Sequence, residues 1–314
     1  MLALLRQTMR LPSQSSANPT AKPSAMHRRQ CLRFISCAAT LPVLPGSLAN
    51  AAELPSEVRI GLTPVFLDDQ LNFLKRFRAY LTERLQLPVI FVQRGSYREI
   101  VELIRAGKID FAWLCGYPYV RFKRELRLLA VPLYRGNPLY QSYLIVPATD
   151  RQTTSLFDLG GKMFAYSDPD SNSGYLYPQY QLLQARFNPA TFFSRSFFTW
   201  SHRKVIEAVG VGLAQGGAVD GYVWDMLASV HPELTAATRI VSRSPELGYP
   251  PFVARGKVQP DLFTAMQQVL RSMNLDPQGA ELLKVLQLDG FVEGRERLFD
   301  SIAEMARVVA KGHP

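Results

Sequence analysis

Asp168-Pro169-Asp170-Ser171-Asn172-Ser173-Gly174-Tyr175 sets two hydroxyls, an amide and a glycine at a junction between a short apolar run, Met163 to Tyr166, and a helix-like stretch, Tyr175 to Phe187. Free backbone N–H groups and the positive end of a helix dipole collect at such a junction, so these residue types suit an anion. They also suit an ordinary helix cap, because Ser and Asn are favoured there. The Ser171 and Ser173 hydroxyls and the N–H groups of Ser173 and Gly174 could donate to anion oxygens, and Gly174 allows the backbone close approach. His202 opens a later helix-like stretch; it can donate a hydrogen bond and, when protonated, a charge. Asp220 repels an anion, so its useful partner is a protonated oxyanion oxygen or a ligand ammonium. His202 could equally be a helix-start or core residue, and Asp220 a cap for the helix that carries Trp224. Ser173, His202 and Asp220 could also be read as a hydrolase triad. Against that stand the chain order Ser…His…Asp and the stretch Asn172-Ser173-Gly174, which lacks the first glycine of a nucleophile elbow. The chain has no HExxH, CxxC or phosphate-loop lysine motif, so neither a metal nor a cofactor is expected.

The elements that must position these residues alternate. Arg59–Leu62, Val89–Gln93, Ile109–Leu114 and Leu128–Leu133 read as strands. Asp68–Leu85, with Leu71, Leu74, Phe77, Leu81 and Leu85 at helical spacing, and Tyr97–Ala106, closed by Gly107, read as helices. This predicts an α/β layer with a largely parallel sheet. Tyr140–Pro147 reads as a crossing strand. Met163–Tyr166, Phe197–Thr199 and Ala218–Val223 then read as strands, with helices at 175–187 and 202–214 between them. After strands at 239–242 and 252–254, the chain reads as helical throughout, over 259–274, 278–286 and 293–311. The expected organisation is a targeting segment at 1–51, a first lobe at 52–142 with a return segment at about 243–314, and a second lobe at 143–242. Two α/β lobes joined by crossings leave a cleft between them, a favoured place for a small ligand.

The 314 residues are 47% hydrophobic, enough to bury a sizeable core, and carry a net charge of +10. Residues 1–51 contain six basic residues and no acidic one, so removing them leaves 30 basic against 26 acidic residues, or +4. That balance does not predict a nucleic-acid partner, which asks for a clustered basic face; Lys and Arg at 121–127 read as a solvated face. His27-Arg28-Arg29-Gln30-Cys31-Leu32-Arg33 reads as a basic n-region, Phe34–Val43 as an apolar run, and Ala49-Asn50-Ala51 as a cleavage site. The arginine pair resembles a twin-arginine signal but departs from it at His27 and Cys31, which leaves Sec export open. The Ser/Pro/Thr-rich residues 1–25 point to Met26 as the start. Cys115 would then be the sole cysteine of the mature chain, which excludes an internal disulfide.

These segments carry a family resemblance. Arg59-Ile60-Gly61-Leu62-Thr63-Pro64, Gly107-Lys108-Ile109-Asp110-Phe111-Ala112, Gly116-Tyr117-Pro118-Tyr119-Val120, the Asp168–Gly174 loop, Trp200-Ser201-His202 and Ala218–Asp225 together resemble the periplasmic phosphate/phosphite/phosphonate-binding proteins of ABC importers, over about residues 57–290. The resemblance implies a two-lobed type II periplasmic-binding fold, an exported and monomeric carrier rather than an enzyme, a small phosphorus oxyanion as ligand and a membrane permease as partner. It implies ligand contacts from Tyr119 in the first lobe and from Ser171, Asn172, Ser173, His202 and Asp220 in the second, with Tyr119 closing over the ligand. Asn172 replaces the usual threonine, Gly221 replaces a common serine, and Val65-Phe66-Leu67 lacks the tyrosine or polar residue often found there. A sensory protein that binds the same ligand but contacts a receptor kinase is the alternative. Nothing C-terminal resembles a kinase or cyclase module, which favours a stand-alone carrier.

Overall fold

The structure, a computed structural model, describes residues 56–63 and 71–312. The targeting segment read at 1–51 and the stretch Val65-Phe66-Leu67 lie outside the described residues.

The first lobe opens with β1 (Val58–Leu62), α1 (Leu71–Leu85), β2 (Val89–Gln93), α2 (Tyr97–Arg105), β3 (Phe111–Trp113), α3 (Gly116–Arg121) and β4 (Leu126–Leu133). The chain leaves this lobe through β5 (Leu139–Tyr140). The second lobe comprises β6 (Ser142–Pro147), β7 (Met163–Tyr166), α4 (Tyr177–Gln184), α5 (Pro189–Phe192), β8 (Arg195–Phe198), α6 (His202–Gly210), β9 (Gly216–Asp220), α7 (Gly221–Val230), α8 (Pro232–Ala236) and β10 (Thr238–Arg243). The chain returns through β11 (Leu247–Gly248) to β12 (Phe252–Arg255), α9 (Pro260–Ser272), α10 (Pro277–Val285), β13 (Gly290–Glu293) and α11 (Asp300–Gly312).

Helical spacing accounts for α1, which buries Phe73, Leu74, Phe77, Tyr80 and Leu81 on one face. In α2 the Ser96 side chain accepts from the Glu99 N–H, and Tyr97, Ile100, Val101 and Ile104 face the core. The first sheet runs β13-β4-β12-β3-β1-β2 and the second β10-β6-β9-β7-β8. Both are mixed, which corrects the expectation of a largely parallel sheet. β1 is parallel to β2 and β3, but β12 is antiparallel to β3 and β4. The cause is connectivity: β3 ends at the cleft, whereas β12 begins there, on returning from the other lobe. For the same reason β6 is antiparallel to β9, although β7 is parallel to β8 and β9.

Two further expectations change. The strand read over 218–223 stops at Asp220, whose carboxyl caps the following helix by accepting from the Tyr222 N–H at 2.9 Å. The C-terminal stretch is not wholly helical, because β13 pairs with β4; it starts at Gly290, whose φ of +150° favours glycine.

β5 and β11 pair as a two-stranded antiparallel ribbon where the chain crosses between the sheets. Beside it the Ser142 N–H donates to Ser244 Oγ at 2.8 Å, and the Tyr249 N–H to the Pro138 carbonyl at 3.0 Å. The result is the two-lobed α/β architecture of a type II periplasmic-binding fold.

Candidate functional site

The serine turn lies at the carboxyl end of β7. It forms one wide turn of π-helix, Asn172–Leu176, ahead of α4, where a continuous helix over 175–187 was expected. The Leu176 N–H reaches back to the Ser171 carbonyl at 3.0 Å, and the Tyr177 N–H to that of Asn172. Such turns are rare and concentrate at functional sites. Ser171, Asn172 and Ser173 are wholly buried. A Cβ on Gly174 would run into the Ser167 hydroxyl and come within 3.1 Å of His202 Cε1, so the glycine is needed for packing against these two side chains.

The turn's own hydrogen bonds decide which donors it can offer. The Gly174 N–H is taken by Ser171 Oγ at 2.9 Å, which corrects the expectation that it faces a ligand. The Asn172 N–H goes to Cys115 Sγ at 3.2 Å and the Ser171 N–H to the Asp168 carbonyl at 2.9 Å. Ser142 Oγ donates to the Ser173 carbonyl at 2.7 Å, and the strand register sets Ser142 opposite Asp220. Because Ser171 Oγ accepts, its own proton remains free to donate elsewhere.

His202 starts α6 and is buried. Its Nδ1 accepts from the Asp220 N–H at 3.0 Å, so Nδ1 cannot carry a proton. The neutral ring therefore holds its proton on Nε2, which donates to the Tyr97 hydroxyl oxygen at 3.3 Å. Burial pushes the imidazole pKa down to about 3. Of the two roles open to His202, the charged one is therefore not populated near neutrality: it is a neutral donor in a fixed tautomer. The triad reading loses its geometry as well, since Nδ1 meets the Asp220 backbone and the Asp220 carboxyl caps α7. Burial raises that carboxyl to about 7, against the lowering effect of the Tyr222 and Val223 amides.

The first lobe contributes residues that the sequence reading did not single out. Tyr97, at the start of α2, meets His202 through its hydroxyl and Asp168 Oδ2 through its N–H at 3.1 Å. Tyr140, on β5, accepts from Asn172 Nδ2 at 2.8 Å. Arg121, read as part of a solvated face, forms an ion pair with Asp170 across the cleft, and Arg98 lies 4.0 Å from the same carboxylate. Tyr119 does not join this group. It is buried, but its ring meets Phe299 edge-on at 4.9 Å, and burial with the nearby Glu296 charge raises its hydroxyl to about 12. α3 turns that face of Tyr119 towards the chain before α11, so its ring packs within the first lobe and not on the serine turn. The signal for Tyr97 was its place one residue after the capping Ser96, at the end of a strand.

Among the described residues, four buried side-chain polar atoms have no hydrogen-bond partner: Ser167 Oγ, Asn172 Oδ1, Ser173 Oγ and Tyr249 Oη. Three of them belong to the serine turn and its approach. A half-turn of the Asn172 amide would let Tyr140 donate to Oδ1 and aim the NH2 group the other way, as a donor. No Lys or Arg side chain is buried among the described residues. The interlobe cluster therefore offers neutral hydroxyl and amide donors and one carboxyl that burial raises to about 7.

Residues 60–299 match the family described as ABC transporter, phosphonate, periplasmic substrate-binding protein, and the chain belongs to that family. It is 36% identical over 101 residues to the phosphate-import protein PhnD of Mycolicibacterium smegmatis, a match that covers 31% of this chain and 32% of that relative. The fold is similar to that of the binding-protein component of an ABC phosphonate transporter from Pseudomonas aeruginosa, with a TM-score of 0.75, 19% identity and coverage of 81% of this chain and 87% of that one. PhnD1 of Prochlorococcus marinus, solved in complex with methylphosphonate, gives a TM-score of 0.75 at 20% identity and covers 82% of this chain and 100% of its own.

Proposed function

We propose that this chain is an exported periplasmic carrier that captures a phosphorus oxyanion between its lobes and delivers it to a membrane ABC importer. The observation that carries the reading is the buried Ser173 hydroxyl, unpartnered between the lobes, on a turn whose Asn172 and Gly174 N–H groups are already satisfied. Around it the Ser171, Tyr97 and Tyr140 oxygens already accept hydrogen bonds, so their protons are available to a ligand. Each hydrogen bond to a charged ligand is worth about 1.5–3 kcal/mol, so a few such donors suffice for micromolar binding, about −8.2 kcal/mol, without any buried cation.

Asp220 supplies the selection. With its pKa near 7 it can accept from a protonated oxyanion oxygen or, when itself protonated, donate to a deprotonated one. A phosphorus oxyanion with a proton that titrates near neutrality (about 6 for a phosphate monoester) can complete such a pair. Sulfate has no proton to share at that pH and sets two negative groups against each other.

Titration calorimetry of the mature chain with phosphate, phosphite, methylphosphonate and sulfate tests the reading. At least one phosphorus anion binds, sulfate does not, and Ser173→Ala weakens the binding about tenfold, the effect of one lost hydrogen bond. Failure of all three phosphorus anions to bind would overturn the assignment.

A further inference from the structure

Tyr249 follows β11, where the returning crossing enters the first lobe, and is 1% exposed. Its ring lies 5.5 Å from that of Tyr222, 5.8 Å from Tyr140 and 6.2 Å from Tyr134, centroid to centroid. The other three hydroxyls are engaged. Tyr134 donates to Asp225 Oδ2 at 2.8 Å, Tyr222 to the Leu286 carbonyl at 2.8 Å, and Tyr140 accepts from Asn172. The Tyr222 hydroxyl, which donates to Leu286, is a candidate acceptor, but Tyr249 Oη meets no partner at hydrogen-bond geometry. Burying an unmet hydroxyl is costly, whereas phenylalanine would keep the packing without that cost.

The position gives the hydroxyl something to meet. Tyr249 packs on Tyr140, which touches the serine turn, and lies within electrostatic reach of Asp220. We propose that Tyr249 is a ligand-contacting and selectivity-determining residue. Its hydroxyl donates to the bound oxyanion from the crossing strand, and its ring occupies the space that a substituent on phosphorus would need. The proposal rests on the reading of the cleft as a phosphorus-oxyanion site. The tyrosine rings pack against one another, from 5.2 Å for Tyr134 on Tyr222 to 6.2 Å for Tyr134 on Tyr249, and so form a filled cluster rather than an open cage for a cationic amine. The chamber therefore favours compact anions (phosphate, phosphite, methylphosphonate) over aminoethylphosphonate.

Calorimetry with these four probes on the wild type, Tyr249→Phe and Tyr249→Ala tests this. The wild type binds a compact anion at least about tenfold more tightly than aminoethylphosphonate, and Tyr249→Phe loses about tenfold in affinity for the compact anion while its unliganded melting temperature does not fall. Tyr249→Ala narrows the gap between the compact anion and aminoethylphosphonate. Affinity of Tyr249→Phe within about twofold of the wild type, or a wild type that prefers aminoethylphosphonate, overturns the proposal and leaves the carrier reading standing. A wild type that binds none of the four overturns both. If Tyr249→Ala does not fold, the phenylalanine variant still decides.

Discussion

At the scale of single residues, His202 and Asp220 form an opposed pair whose titrations tilt stability in contrary directions. Burial holds the His202 pKa at about 3, below the ordinary 6.5 of a histidine, so between those values the unfolded chain binds a proton that the native protein refuses. This contribution makes the unliganded protein more stable as pH rises from about 3 to 6.5. Asp220 is raised from 3.8 to about 7, so over that range the native state keeps a proton that the unfolded chain has released, and stability falls as pH rises. The windows overlap between 3.8 and 6.5, where the two slopes, each at most about 1.4 kcal/mol per pH unit, offset each other. Asp220→Asn removes the falling part. Relative to the wild type, its stability should rise between pH 4.5 and 6.5, by up to about 2–3 kcal/mol. His202→Asn keeps an acceptor for the Asp220 N–H but removes the rising part, and should change in the opposite sense. Urea unfolding at the two pH values reads both variants, and parallel profiles for all three proteins would show that neither group is held as the hydrogen bonds require.

At the scale of elements, the lobes meet through helix ends. Asp168, from the end of β7, accepts from the first N–H of α2 in the other lobe, at the positive end of that helix, while Ser96 caps the same helix from within its own lobe. Asp170 accepts from Arg121 on α3. Asp170 is nearly buried and Arg121 partly exposed, so the pair belongs to the class worth about 0.2–1 kcal/mol. Asp170→Asn should therefore speed ligand release about two- to fivefold in stopped-flow experiments, and added salt should speed the wild type more than the variant. An unchanged release rate would remove the pair from the closing mechanism. These contacts also mark what was legible in the sequence. The serine turn could be read because its chemistry is local: hydroxyls, an amide and a glycine at one strand end. His202 and Asp220 were legible as residues, but the histidine's tautomer depends on a backbone N–H 18 residues away. Tyr97 and Tyr140 read as ordinary members of a helix and a strand, because their partners come from the other lobe. The packing of Tyr119 on Phe299 was not legible, because a motif gives a position in the chain and not the face that α3 turns inward. β12 and β13 run against the parallel strands for a reason that no local pattern records, namely the direction from which the returning chain enters its sheet.

At the scale of the whole molecule, the proposed carrier function asks two chain crossings to couple ligand and shape. The ribbon of β5 and β11 is short, and it carries Tyr140, which meets the serine turn from within β5, and leads directly into Tyr249, which packs on Tyr140. On the proposed reading, a ligand held by the serine turn of one lobe and by Tyr97 of the other would add attraction to the same gap that Asp168 and Asp170 span, and would therefore bind a closed arrangement better than an open one. That difference in affinity is what shifts the population of closed molecules. Hinged closure of this kind brings the lobes together about a few crossing residues. Solution scattering of the mature chain should therefore show a smaller radius of gyration on addition of the anion that binds by calorimetry, and no change on addition of sulfate. Asp170→Asn should need more of the same anion to reach the compact form, because part of the attraction across the gap is gone. A radius that stays constant while calorimetry reports binding would mean that both lobes are already in place before the ligand arrives. In that case a permease would have no change of shape by which to tell a loaded carrier from an empty one.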